Sequence, residues 1–420
     1  MGATQTTVSA ALKEHYAKNV AQVLWNDEAV TPLLGIMEKR SGSVDASGRK
    51  FVQPIHYGDG SAVSADFATA QAKAQGATTG SANQYTRWEV PAVTQNGVAY
   101  FDREIINAIQ STSQMFDLGQ GEIDGRLRAM RNRLAIQIHG DGYGAIGTIS
   151  AISGTGFTIS TDRCNRLQAG DDLVASATNG GGVLKSATAV TVTGINEDNG
   201  VITVSADPTA LTWANNDFIF FKGDRENAAS PTQKCIFGHA GWVPSAAPTS
   251  ALWCNVNRLG VWQLGGLRMS LTGLTIKLGL IKLINRLFKY GRTRCSHAII
   301  SAEDWATLSD TVDGQKHMDV KAREYNIAYD AISLMGTMIG TVPILPDPYM
   351  LKGEALAGDF ATEGNAYLMH SGDLLNIDDH DGNVFLRSAT ATAYETRMYM
   401  YGNAVWAAPG KFAKGTLLGL

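Results

Sequence analysis

Apolar and polar side chains alternate along Lys50-Phe51-Val52-Gln53-Pro54-Ile55-His56-Tyr57, and the run stops at Gly58, Asp59 and Gly60, which predicts a strand ending in a turn. From Ser61 to Thr86 the large apolar residues are Val63, Phe67 and Tyr85. The eight alanines of that stretch, set among Ser, Thr, Gln and Gly, bury too little area to offset chain ordering. A return strand follows from Tyr85 to Val93, where Pro91 lacks the ladder donor and marks an edge or a bulge. Asn96-Gly97 then reads as a tight turn. The pattern gives a long two-stranded arm, with a disordered surface loop as its alternative. An isolated ribbon is marginal in water, so this arm is expected to be floppy alone and supported by another chain, through Phe51, Phe67, Trp88 and Val90. On that reading, replacing Trp88 with Ala leaves the subunit folded and weakens assembly.

A long helix is expected to start at Asp102. Ile105, Ile106 and Ile109 share a face, and Ile123, Leu127, Met130, Leu134 and Ile138 continue the 3-to-4 spacing. At ~1.5 Å per residue it would run roughly 50 Å if unbroken, with Gly119, Gly121 and Gly125 bending or interrupting it. Arg126, Arg128, Arg131 and Arg133 fall on the opposite face, as a solvated surface or as salt-bridge partners of adjacent subunits.

Val8, Leu12, Tyr16, Val20, Val23 and Leu24 describe an amphipathic helix over residues 8–25, followed by an irregular connector around Pro32. From Gly144 to Gly223 short alternating runs take over, at 148–152, 156–160, 189–193, 201–204 and 217–221, with a hairpin turn at Asn199-Gly200. This predicts an inserted β-barrel or sandwich of about eighty residues that could be removed without touching the main core. A helix is expected over Leu274 to Tyr290 with Leu278, Ile281, Ile284, Leu287 and Phe288 inward. A buried strand at Ala298–Ile300 leads to Ser301 and Asp304, which resemble a capping box. Further strands are expected at 341–345, 366–369, 384–386 and 395–401, making the class α+β.

The 420 residues, 44% of them hydrophobic, suffice for two or three domains. No uncharged apolar run of ~18 residues exists, and Met1 to Lys18 lacks the order of a secretory signal, so the chain is read as soluble, without membrane contact, and cytoplasmic where it is made. Cys164, Cys235, Cys254 and Cys295 form no metal-type pair, and free buried thiols are expected. The net charge is −4 and the basic residues are dispersed, which argues against a sequence-reading nucleic-acid binder but leaves looser contact open. Phosphate loops, nucleophile elbows and zinc-helix motifs are absent from the sequence. His139-Gly140-Asp141-Gly142 reads as a helix-ending turn, and the acidic run from Asp378 to Asn383, which fails the calcium-loop spacing, as a hairpin tip. No catalytic residue, cofactor or metal is expected, and the chain is read as a non-enzyme.

The order of arm, extended loop, long helix and α+β region resembles the major capsid proteins of tailed bacteriophages, the Hong Kong 97 type. Local stretches support it. His297 to Leu308 is similar to the strand and helix opening the axial domain, and Gly340 to Met350 to its strand-to-loop segment. Tyr394 to Pro409, with Arg397, Gly402 and Val405, is similar to the strand returning to the peripheral domain, and Phe412 to Leu418 to its last residues. The resemblance implies an N-terminal arm (1–49), an extended loop (50–100), a spine helix of the peripheral domain (101–143), the inserted β-module (144–225), a peripheral-to-axial region (226–296), an axial domain (297–393) and a C-terminal return to the peripheral domain (394–420). It implies hexamers and pentamers closing an icosahedral shell, a virion location after assembly in the host bacterial cytoplasm, and packaged double-stranded DNA bound without sequence specificity. Portal, scaffolding and cement proteins are the other implied partners. No long charged pro-segment precedes the arm, so assembly is expected to use separate scaffolding or none, and Lys73 is the lysine available for loop crosslinking. Two alternatives stay open: an encapsulin-type shell carrying enzyme cargo, and a β-rich carbohydrate-binding virion or tail protein.

Overall fold

The structure, a computed structural model, describes residues 32–41, 49–75, 83–102, 114–313, 332–337, 340–370, 376–377, 386–387 and 393–419. The helix expected at 8–25 and the acidic run at 378–383 lie outside these described residues.

The strand Ala393–Val405 organises the first sheet, because its alternate side chains are buried and its last four residues are all buried. Val93–Asp102 pairs antiparallel along one edge, with Gly402 opposite Val93 and Ala393 opposite Asp102. The other edge is shared in turn by Leu386–Arg387, Asn376–Ile377 and Tyr367–His370, and Glu38–Ser41 runs parallel to the last of these. The helix Gln114–Gln137 lies against Val93–Asp102 and buries Met130, Leu134 and, just beyond its end, Ile138. One expectation is thereby corrected. Asn96-Gly97 is mid-strand rather than a turn; a Cβ on Gly97 would come within 2.7 Å of the Met130 sulfur, so glycine is there to let the helix approach. Asp102 is the last residue of the strand Val93–Asp102, and the expected helix start through Ile105, Ile106 and Ile109 lies outside the described residues. Gly119, Gly121 and Gly125 fall within an unbroken helix.

A second sheet has the order Leu267–Ser270, Phe412–Thr416, Ala355–Gly358, His297–Ser301, Gly340–Asp347, Ile332–Thr337. Its central strands are buried on both faces. Phe412–Thr416, expected among the last residues of the peripheral domain, is hydrogen-bonded between Leu267–Ser270 and Ala355–Gly358 in this second sheet. The helix Ile276–Arg286 packs on this sheet through Ile276, Leu280, Leu283 and Ile284. Leu278 and Phe288, expected inward, are 43% and 46% exposed; the side chains Leu271 and Leu418 fill the space beside Gly279, which fixes the rotation. Ser301 Oγ accepts a hydrogen bond from the Asp304 amide at 3.1 Å and caps Ala302–Asp313 as expected.

Residues 145–221 form a third core around Phe157, Leu173, Val190, Ile202, Trp213 and Ile219. Its strands follow the order Ala145–Thr148, Phe218–Phe221, Asp172–Ser176, Val190–Asn196, Val201–Val204, Gly156–Thr158, Ala151–Ser153. The first and last are two halves of one bent strand. Ile149 exchanges backbone hydrogen bonds with Asn216 and Asp217, and the Ser150 amide donates to Thr158 O, so the corner is paired on both sides and the sheet closes on itself. Closure removes the exposed edges that an open sheet would present. Asn199-Gly200 makes the expected hairpin turn, and Gly200 has φ +72°, with Ile159 O where a Cβ would stand. Asp172–Ser176 was missed because four of its five residues are buried and it does not alternate.

Candidate assembly surfaces and the buried junction

The arm is the antiparallel hairpin Lys50–Gly58 with Gln84–Pro91, Phe51 facing Val90 and Gln53 facing Trp88. Its root and its tip differ sharply. At the root Phe51, Trp88 and Val90 are at most 1% exposed within the single chain. Trp88 Nε1 donates to Ala407 O at 3.1 Å, and its ring meets Trp242 edge-on at 5.1 Å. Asn403 Nδ2 donates to Pro91 O at 2.7 Å, and the Tyr367 hydroxyl to Gln53 Oε1 at 2.8 Å. The assignment of Phe51, Trp88 and Val90 to contacts with other chains is therefore corrected. Strand alternation identified the apolar face of the ribbon; it could not say that the chain's own Trp242 and C-terminal strand cover it.

At the tip Val63 and Phe67 are each 79% exposed and Tyr85 68%. Tyr85 stacks on His56, with ring centroids 4.7 Å apart. Between the strands the expected irregular segment contains the helix Phe67–Gln75, which buries no side chain. Alternate alanines supply its propensity. Asp66 caps it by accepting from the Thr69 amide at 2.8 Å and hydroxyl at 2.6 Å, and the Thr69 hydroxyl holds the Asp66 carboxyl below its usual range.

The four arginines of the long helix are not equivalent. Arg131 is exposed and Arg126 and Arg128 are half-buried. Arg133 instead pairs with Asp224 at 3.2 Å, and its guanidinium lies 3.6 Å from the centre of the Phe221 ring. Arg133 is thus spent inside the chain, tying the helix to the end of the barrel. Burial keeps the Asp224 carboxyl above its usual range despite that guanidinium. Beside this pair a groove of about 600 Å³ runs between residues 92–98 and the helix, with Arg126, Arg133, Lys222 and Lys234 along it.

The notion of a detachable module is also corrected. Arg166, on the barrel's short helix Thr161–Arg166, donates to Tyr349 O at 2.6 Å, and Asn165 Nδ2 to Pro348 O at 2.6 Å. Arg225 donates to Asn179 O, to Gly181 O at 2.6 Å and to Gly182 O at 3.2 Å, pinning the barrel's long loop. Where barrel, long helix and second sheet meet, His239 Nε2 lies 3.1 Å from His139 Nδ1. His139 Nε2 in turn approaches Asp347 Oδ1 to 3.2 Å, a close approach without hydrogen-bond alignment. Lys414 pairs with Glu354 at 3.0 Å on the rim of the same cavity, about 180 Å³ in volume. Burial first, then the cations Lys414 and Arg166 and the neighbouring His139, hold the His239 imidazole well below its usual pKa, and burial lowers the Arg166 guanidinium to about 9. None of His139, His239 and Asp347 is a hydroxyl or thiol nucleophile. Only His139 was legible as a candidate; His239 and Asp347 lie 100 and 208 positions further along and have no local signature. The four cysteines are free. Among the described residues no helix is long and apolar enough to cross a membrane, and no cluster of His, Cys, Asp and Glu is arranged to hold a metal.

No family model matches the chain. No curated protein matches it either. Solved structures do. The capsid subunit of cyanophage A-1(L) superimposes with a TM-score of 0.52 at 9% identity, covering 99% of this chain and 100% of that one. The capsid of the native GTA particle gives 0.48 at 10% identity over 100% and 99% of the two chains. The holo-SrpI encapsulin complex from Synechococcus elongatus PCC 7942 gives 0.44 at 9% identity over 98% and 95%. With 99% of this chain and 100% of the cyanophage chain covered at a TM-score of 0.52, the chain has the Hong Kong 97-type fold of tailed-phage capsid proteins.

Proposed function

We propose that this chain is a major capsid protein, whose copies self-assemble as hexamers and pentamers into the icosahedral head of a tailed bacteriophage, around double-stranded DNA held without sequence specificity. The observation that carries this reading is the whole-length likeness to the cyanophage capsid subunit, joined to an arm whose tip leaves Val63, Phe67 and Tyr85 in solvent. A capsomer neighbour is the natural cover for such a ribbon. In this reading the work is done by many moderate contacts repeated by symmetry, and no catalytic centre is required. Phe67, Arg126, Arg128 and Arg131 remain the proposed intersubunit contacts. The division into arm, extended loop, spine helix, inserted barrel, peripheral and axial parts belongs to the same proposal, with the axial part enlarged to include 267–286 and 412–416. Portal, scaffolding and cement proteins are proposed partners, the virion the proposed location, and the host cytoplasm the proposed place of assembly.

The test is negative-stain microscopy of the full chain expressed alone, followed by nuclease treatment of particles from virion-producing cells. Closed shells with nuclease-protected DNA are expected. Subunits that never assemble, alone or with a co-expressed scaffolding protein, overturn the proposal, and shells filled with protein instead of DNA would move it to the cargo-compartment alternative.

A further inference from the structure

Residues 227–302 contain nine Lys and Arg and no Asp or Glu, within a chain whose net charge is −4. Six of the nine lie between Lys277 and Arg294. On Ile276–Arg286 and the π turn Leu287–Gly291 that continues it, the inner face is taken by Leu280, Leu283, Ile284 and Leu287. Lys277, Lys282, Lys289, Arg292 and Arg294 are exposed, and Arg286 is half-buried among them. Lys282, Arg286 and Lys289 follow an i, i+4, i+7 spacing, which sets them on one stripe about 6 and 4.5 Å apart along the axis. Aromatic side chains are interleaved with them. Tyr290 and Phe288 are 42% and 46% exposed, and Arg286 and Lys289 each lie 5.3 Å from the centre of the Tyr290 ring. A ring gripped by two cations limits their rotamers before any ligand arrives, which lowers the ordering cost of binding. The acids beside this surface only partly offset its charge: Asp359 accepts from the Thr293 hydroxyl at 2.9 Å, between Arg292 and Arg294, and on the neighbouring helix Ala302–Asp313 Glu303 pairs with Lys352 at 3.0 Å, Asp304 accepts from the Gly353 amide and Asp310 is exposed.

We infer that this surface, from Lys277 to Arg294, binds nucleic-acid phosphates. A stripe of cations with flanking ring faces fits a phosphate backbone with neighbouring bases or sugars, and it carries no arrangement for reading base edges. The inference rests on the capsid reading in one respect: it makes this face the part of the subunit that meets the enclosed DNA.

The test compares wild type with a Lys282→Glu, Lys289→Glu, Arg292→Glu variant, using fluorescence anisotropy of a short labelled DNA duplex with unassembled subunits over a salt series. Wild type is expected to bind with a steep salt dependence. The variant is expected to bind about 100-fold more weakly at low salt, with a log–log slope reduced by about 0.9 per lost contact. Its thermal melt and particle count by microscopy should match wild type, and Lys282→Arg with Lys289→Arg should retain binding. Equal duplex affinity of variant and wild type overturns the inference. So does poly-glutamate competing as well as DNA, which would give the face to an acidic protein. Salt-dependent binding by subunits that form no shells would support this surface while removing the capsid reading, so the two can fail separately.

Discussion

The arm and the barrel are both β-structures that leave the main body and return to it, yet they obtain stability in opposite ways. The barrel encloses its own core, with Phe157, Leu173, Val190, Ile202 and Ile219 all at most 1% exposed, and closes its edges through the bent strand at 148–151. The arm has no core of its own beyond its root. Its two strands and its helix leave Val63, Phe67 and Tyr85 in solvent. The difference teaches that a ribbon of two strands can be anchored at one end and still need something else at the other, whereas a closed sheet needs only fixing in place. Arg166, Asn165 and Arg133 do that fixing, each by hydrogen bonds or an ion pair across a boundary.

The contrast is broken most forcefully at the arm root. Trp88→Ala removes a fully buried ring and the bond to Ala407 O, and a loss of about 3–5 kcal/mol is expected from a large-to-small core change. Urea denaturation of the soluble subunit measures it; a variant as stable as wild type would mean that the root is not part of the core. At the barrel junction, Arg166→Met removes the donor to Tyr349 O, with an expected cost of about 2 kcal/mol for the orphaned acceptor. Hydrogen exchange should rise at 161–166 and 347–350 together while the barrel strands keep their protection. Unchanged exchange at both segments would show that the barrel is held by other contacts.

The junction also gives the barrel side of the comparison a pH signature. Burial disfavours protonated His239 in the fold, so the unfolded chain takes up a proton that the folded one resists. The stabilising effect is complete above the ordinary imidazole range near pH 6.5 and is lost as pH falls towards the depressed folded value, with a slope of up to about 1.4 kcal/mol per pH unit. Asp141 and Asp224, raised by burial, act with the opposite sign at lower pH, where protonation favours the fold. Urea midpoints between about pH 7 and pH 5 should fall for wild type and flatten for His239→Gln; parallel curves would exclude this group as the cause. The smallest stability change is expected at the arm tip. Phe67→Ser should stay within about 0.5 kcal/mol of wild type while lowering shell yield in micrographs. Undiminished yield would remove Phe67 from the assembly surface.

Much of the fold was legible because periodicity is a local property. The strand at 50–57, its return near 85–91, the helix through Met130 and Leu134, the hairpin turn at Asn199-Gly200 and the cap at Ser301 each follow from residues within one or two turns of one another. Failures came where a distant element decided. Gly97 looked like a turn former until Met130 was placed against it. Leu278 and Phe288 fit an apolar stripe, but the helix rotated to present Leu280 and Leu283 to the second sheet. The arm was correctly drawn as a ribbon and wrongly assigned at its root, since an alternating strand announces an apolar face without naming what will cover it.

The sequence by itself determined the α+β class, the apolar-poor arm, the long helix and the strand-rich insertion, since each depends on short-range spacing and on how little area a stretch of Ala, Ser and Gly can bury. Only the tertiary structure decided which side chains were spent internally. It turned Trp88 and Arg133 inward, carried Phe412–Thr416 into the second sheet, and brought His139, His239 and Asp347 together. Those outcomes depend on close packing between segments far apart in the chain, where burial and pairing are settled by what the fold places opposite each residue.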